Sequence, residues 1–193
     1  MQVAAIILAA GSSRRFGEPN KLLAGFSGRP LIRIAVDCAL RSGATEVLVV
    51  IRPNDSGVAA AIADLPVRVL VNPQHAEGIG ASIACAVSCL PQAIDGALIM
   101  PADMPWMEPA LLDALIARFD EAKGDAIVYP VTAGGKQRNP VLWPRRHFRD
   151  LWSLDPGRGA RTLISASNTL KITVKTGNDR VFRDIDSPED LPG

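Results

Sequence analysis

At 193 residues the chain is long enough for one well-buried domain and too short for two ordinary ones, taking roughly 100 to 200 residues per domain. A composition of 48% hydrophobic and 21% charged residues fits an ordered globular chain and excludes disordered or fibrous classes. With 21 basic against 20 acidic side chains the net charge is +1, so no overall field draws the protein to nucleic acid or to an anionic membrane, and any phosphate binding has to be local.

The chain opens on Val3 to Leu8, a short apolar run that reads as a buried strand ending in the glycine loop Ala9-Ala10-Gly11-Ser12-Ser13. No apolar stretch approaches the roughly 18 residues of a spanning helix, and Val3 to Ala10 lacks a basic leader, so a cytoplasmic protein is expected. Pro30 to Arg41 has helical spacing, with Leu31, Ile34, Ala35 and Cys38 on one face and Gly43 beyond its end. Val47 to Ile51 reads as a strand, Ser56 to Ala63 as a helix and Val67 to Val71 as a strand closed by Asn72-Pro73. Ala81 to Leu90 follows as a helix, Ala97 to Met100 as a strand, Pro109 to Phe119 as a helix opened by proline, and Ala126 to Tyr129 as a strand.

Beyond Val131 the regularity weakens. Ala133 to Asn139 reads as a mobile loop, Val141 to Trp143 as a strand, Arg146 to Trp152 and Ala160 to Ala166 as helices, and Leu170 to Val174 as a last strand before an extended tail. Strands alternating with helices of about ten residues imply right-handed crossovers, hence a single-domain, doubly wound, Rossmann-like α/β layer with a mainly parallel sheet and helices on both faces. In such sheets ligands bind beyond the carboxyl ends of the strands, and the polar motifs fall there.

Three cysteines, Cys38, Cys85 and Cys89, are an odd count in a chain whose size needs no disulfide staples, which fits a reducing compartment. Cys85 and Cys89 are one helical turn apart but have no third or fourth ligand beside them, so both are read as small core residues. His75 and His147 are too far apart for a zinc site and are read as loop or surface residues; Trp106 and Trp143 are read as packing residues.

The glycine loop Leu8-Ala9-Ala10-Gly11-Ser12-Ser13-Arg14-Arg15-Phe16-Gly17 runs into Asn20-Lys21. Small residues let the backbone approach a phosphate closely, and Arg15 and Lys21 add positive charge. The loop lacks the Gly-Lys-Ser/Thr ending of a P-loop and is not Gly-x-Gly-x-x-Gly. A second small-residue motif, Gly78-Ile79-Gly80-Ala81-Ser82, stands at the mouth of a helix, where anions are favoured. Asp103, between Pro101 and Pro105, follows a buried strand as a rigidly placed carboxylate.

The first motif resembles the signature of the nucleotidyltransferase superfamily that includes the molybdenum cofactor guanylyl- and cytidylyltransferases. Later segments are similar to the cytidylyl branch: Asn72, Gly78 to Ser82, Met100 to Pro105, Asn139-Pro140-Val141-Leu142, Gly159-Ala160-Arg161 and Asp184 to Asp190. The resemblance implies transfer of a nucleoside monophosphate, CMP from CTP, onto the terminal phosphate of molybdopterin with release of pyrophosphate and with Mg²⁺ as cofactor. It implies a nucleotide site of Leu8, Ala9, Ala10, Gly11, Ser13, Arg15, Lys21, Asn72, Gly78, Gly80 and Ser82. Lys21, Arg15 and Asp103 are the implied catalytic residues, and Asp103 with Asp186 the implied metal pair. Arg138, Asn139 and Arg161 are the implied acceptor contacts. Residues 1–130 would form the nucleotide half and 131–193 the acceptor half with its metal-binding tail. A molybdenum hydroxylase or its chaperone would receive the product.

Two departures fall in the acceptor half: Arg138 stands where the family usually has glycine, and Gly157 where it usually has an acidic residue. Ala10 favours cytidine, because the guanylyl branch usually has Leu-Ala-Gly-Gly here. The competing readings are a guanylyl- or other small-molecule nucleotidyltransferase and a catalytically silent nucleotide-binding subunit.

Overall fold

A computed structural model describes residues 1–11, 16 and 20–191. Strand β1 (Val3–Leu8) leads through a tight hairpin, β2 (Gly25–Phe26) and β3 (Arg29–Pro30), into helix α1 (Leu31–Leu40). There follow β4 (Glu46–Ile51), α2 (Ser56–Ala61), β5 (Arg68–Val71), α3 (Ile79–Ser88), β6 (Gly96–Pro101) and α4 (Pro109–Glu121). The last part holds β7 (Ala126–Val131), β8 (Val141–Pro144), α5 (Phe148–Trp152), α6 (Arg161–Ala166) and β9 (Leu170–Lys175).

Seven strands form one sheet in the order β5-β4-β1-β6-β8-β7-β9. Within it β1 pairs in parallel with both β4 and β6, β4 with β5, and β7 with β9; β8 alone runs antiparallel, between β6 and β7. The fold is thus the expected mainly parallel, Rossmann-like α/β layer, with one reversed strand that apolar patterning does not announce.

The side-chain period of two divides each strand between two cores. Ile7, Val49 and Met100 pack with Ile32, Val36, Leu112 and Phe119, placing α1, α2 and α4 on one face. Ile6, Val50, Ile99 and Trp143 pack with Ile83, Val87, Leu151 and Ile164, placing α3, α5 and α6 on the other. Both faces of the central strands are dry, which is why their sequences read as continuous apolar runs.

Three expectations change. The segment read as a helix over Arg146 to Trp152 begins as a 3-10 turn, Arg145–His147, before α5. Cys85 and Cys89 are half-buried and outside both cores, whereas Cys38 is buried. The segment read as a mobile loop is a hydrogen-bonded turn: Thr132 N donates to Lys136 O at 2.9 Å, Gly135 N to Thr132 O at 2.8 Å and Arg138 N to Pro130 O at 2.9 Å. Among the described residues no helix is long and apolar enough to cross a membrane.

Candidate active site

Lys21 opens a short 3-10 turn whose position is set by Asn20. The buried Asn20 side chain accepts from Leu22 N at 3.1 Å and donates through Nδ2 to Asp55 Oδ2 at 2.8 Å, and that same oxygen accepts from Arg52 Nε at 2.9 Å. Asp55 in turn caps α2 by accepting from Val58 N. The base of Lys21 is therefore tied to the end of β4 and the start of α2.

From that turn the Lys21 ammonium reaches across the carboxyl edge of the sheet. It donates to Asp103 Oδ2 at 2.7 Å, to the Ile185 carbonyl at 2.9 Å and to Asp186 Oδ1 at 3.3 Å. Asp103 stands just beyond β6, and the tail is sewn to it by Ile185 N donating to Asp103 O at 2.9 Å. The fully buried Ile185 packs with Phe26 and Leu31, so the small hairpin that precedes α1 supplies the socket for the tail. Asp190 completes the arrangement: its Oδ2 accepts from Asp186 N at 3.0 Å and Ser187 N at 2.8 Å, and these bonds hold its carboxyl below the usual carboxylate range.

The two implied metal ligands thus meet at one cation, the ammonium of Lys21. Two carboxylate oxygens facing one positive charge form a donor set that also suits a hard divalent ion such as Mg²⁺, which takes oxygen ligands from one or two carboxylates plus phosphates and water. Among the described residues no three His, Cys, Asp or Glu side chains cluster, so the further ligands of such an ion would come from substrate and solvent.

Of the implied nucleotide contacts, Leu8, Ala9, Ala10 and Gly11 leave the end of β1; Ala9 and Ala10 are buried and Gly11 is exposed, with open space where a Cβ would stand. Asn72 and Ser82 are buried and bonded to each other, Asn72 Nδ2 donating to Ser82 Oγ at 3.1 Å. Gly78 has φ +132, and a Cβ there would stand 2.5 Å from Pro156 O. At Gly80 a Cβ would stand 2.6 Å from Arg158 O, while its own N–H donates to Pro156 O at 2.9 Å. Both glycines therefore serve the close approach of the turn at 155–158 to the start of α3. Ser13 and Arg15 lie outside the described residues.

A cavity of about 260 Å³ opens beside these groups, lined by Leu8 and Pro101 from the ends of β1 and β6 and by the three implied acceptor contacts, Arg138, Asn139 and Arg161. Its floor is aliphatic and aromatic, with Ile83, Ile99, Val141, Trp143 and Ile164. Trp143 is both core and wall, being 1% exposed and facing the cavity.

Residues 5–171 match the model of the MobA-like NTP transferase domain. The chain belongs to that family. A probable molybdenum cofactor guanylyltransferase of Chloroflexus aggregans is 36% identical over 149 residues, covering 76% of this chain and 67% of that protein. The bifunctional protein GlmU of Sorangium cellulosum is 33% identical over 136 residues, 67% of this chain but 28% of that protein, so the chain spans about a quarter of the length of such bifunctional relatives. The crystal structure of Rv0371c from Mycobacterium tuberculosis superposes with a TM-score of 0.82 at 25% identity, covering 98% of this chain and 95% of that one.

In this MobA-like domain two residues that shape the site carry no signal of that role in the sequence. Asn20 belongs to the first motif, but its burial and its bond to Asp55 depend on the fold. His147, read as a loop or surface residue, is buried: Nδ1 meets Asp150 Oδ2 at 2.8 Å, Nε2 meets Thr169 Oγ1 at 2.8 Å, and the ring packs edge-on to Trp143 at 5.8 Å. It fastens the start of α5 to the lead into β9 directly behind the cavity wall. A polar ring between two arginines and a phenylalanine gives no sequence signal for that.

Proposed function

We propose that this MobA-like transferase moves CMP from CTP to the terminal phosphate of a molybdopterin-type acceptor, with Mg²⁺ as cofactor. The observation that carries the reading is the meeting of Lys21, Asp103 and Asp186 at the carboxyl edge of the sheet, next to a cavity lined by Arg138 and Arg161. Residues 1–130 supply the nucleotide half and 131–193 the acceptor half and the metal-binding tail.

An acceptor phosphate oxygen attacks the α-phosphorus; the bond from that phosphorus to the oxygen bridging it to the β-phosphorus breaks, and pyrophosphate leaves with the electron pair. No covalent enzyme intermediate is needed, so the protein's work is positioning and charge neutralisation. Lys21 and Arg15 offset the negative charge that otherwise holds two phosphates apart. Leu8 to Gly11, Ser13 and the Asn72, Gly78, Gly80 and Ser82 group receive base and sugar, and Arg138, Asn139 and Arg161 orient the acceptor. Asp103 and Asp186 would hold Mg²⁺, which supplies Lewis-acid stabilisation of the charge on the phosphates.

Ala10 supports cytidine as the base, since the guanylyl branch usually has glycine there. The relative named a guanylyltransferase supports GTP as the alternative donor. A cytoplasmic location and onward delivery to a molybdenum hydroxylase or its chaperone complete the reading, with no role for nucleic acid or membrane. The test is pyrophosphate release across a panel of nucleoside triphosphates with molybdopterin-type acceptor and Mg²⁺. CTP should be preferred; GTP preference would transfer the assignment to the guanylyl branch, and no release with any triphosphate would overturn it.

A further inference from the structure

The loop that carries Asp103 also carries Trp106, and two arginines of the tail lie against that one ring. Arg180 Cζ stands 5.3 Å and Arg183 Cζ 5.4 Å from the Trp106 ring centroid, while the Phe26 ring meets it edge-on at 5.0 Å. Two guanidinium groups repel each other, and what draws both to an indole is the negative face of its π system. The arginines are not on a loose chain: they flank Val181 and Phe182, which are buried in the core that holds α1 and α4, and Arg183 N donates to Arg180 O at 3.1 Å. Trp106 is fixed as firmly, between the buried Met104 and Met107, whose backbones are joined by Met107 N donating to Met104 O at 3.1 Å.

Asp103 lies three residues before Trp106, and Asp186 three residues after Arg183, so the stack closes a short bracket around the two carboxylates. Resting on the reading proposed above, the Lys21 ammonium turns to phosphate when a triphosphate arrives, which weakens its bonds to Asp186 and to the Ile185 carbonyl. Between the tail and the Asp103 loop, the bond from Ile185 N to Asp103 O and the stack on Trp106 then remain, and neither uses a carboxylate of the site. We infer that Trp106 is a positioning residue: by holding Arg180 and Arg183 on its ring it keeps the tail, and with it Asp186, opposite Asp103.

The experiment measures Mn²⁺ affinity of the nucleotide-free protein by isothermal titration and hydrogen exchange of the Ile185 amide by nuclear magnetic resonance. W106L keeps apolar bulk against Phe26 and removes the π face. It should weaken Mn²⁺ by about tenfold, the scale of two exposed cation–π contacts, and speed Ile185 exchange while the amides of β1 and β6 stay unchanged. W106F, which restores a ring, should recover most of both losses. In a D186N background W106L should change Mn²⁺ affinity by less than about twofold, because the group it positions is gone. R180Q/R183Q separates positioning from charge: removing two positive charges by itself tightens binding of a cation, whereas loss of the stack weakens it, and weaker binding is expected. A lower melting temperature in W106L with Mn²⁺ affinity and Ile185 exchange unmoved, equal losses in the wild-type and D186N backgrounds, or tighter Mn²⁺ in R180Q/R183Q would each overturn the inference. Should the wild-type protein bind no Mn²⁺, the metal pair of the proposed function falls, and Ile185 exchange alone decides Trp106: faster exchange in W106L sustains its hold on the tail, and unchanged exchange overturns it.

Discussion

Lys21 faces Asp103 and Asp186 at 2.7 and 3.3 Å, so a divalent ion arriving at that pair meets carboxylates already neutralised by an ammonium. The Lys21→Ala variant should consequently bind Mn²⁺ more tightly than wild type in nucleotide-free protein, by isothermal titration, while pyrophosphate release falls by about a hundredfold or more, the usual loss when one preorganised charge partner of a transition state is removed. Weaker metal binding in the variant would place Lys21 among the elements that build the metal site. The same geometry reverses a natural expectation for the carboxylates. Two bare aspartates would gain stability from losing one charge; here Asp103→Asn takes a partner from a mostly buried lysine and should lower stability by about 1 kcal/mol in denaturant melts. Activity of Asp103→Asn and Asp186→Asn should be lost without additivity, the double variant being little worse than either single one, because residues that serve one ion act as a unit. These three residues were legible in the sequence only through their motifs. Nothing in spacing announces that positions so distant share one cation, and nothing announced Asn20, whose burial against Asp55 depends on where α2 begins.

Among the elements, the central strands were readable because dry faces on both sides demand continuous apolar runs, and α4 because proline opens it and leucines mark its stripe. The β2–β3 hairpin was not, since two-residue strands have no alternation to read, and the reversal of β8 is a matter of connection rather than composition. The junction of α3 with the turn at 155–158 likewise depends on a contact between distant segments. Gly80 lets that turn approach so closely that Gly80→Ala would press a methyl against the Arg158 carbonyl, 2.6 Å away. Overpacking of this kind costs about 1 to 3 kcal/mol. We expect Gly80→Ala to lower the melting temperature and, because Gly159 and Arg161 follow directly and line the cavity, to raise KM for the acceptor more than KM for the triphosphate. A rise in KM for the triphosphate alone would mean that the turn supports the nucleotide pocket instead.

At the scale of the whole molecule, two titrations report on how the chain is held together. Burial pushes the Cys38 thiol up to about 12, so it should resist alkylation in the native protein and react only on global unfolding, whereas the half-buried Cys85 and Cys89 react earlier; counting modified thiols against denaturant checks this. Asp190 titrates the tail. Its folded carboxyl lies below the usual range because Ser187 and Asp186 donate to it, so its anchoring is fully present above the unfolded value of about 3.9 and is lost as pH falls through the folded one. Tail proteolysis should therefore rise in acid before the sheet unfolds, and Asp190→Asn should show that sensitivity already at neutral pH. The bond from Lys21 Nζ to the Ile185 carbonyl, 2.9 Å long, joins residues 164 positions apart. Contacts of such separation form late, because the long loop between them must close first. A refolding chain can therefore complete its sheet while Lys21, Asp103 and Asp186 are still apart, so that the site assembles after the body of the molecule is already folded.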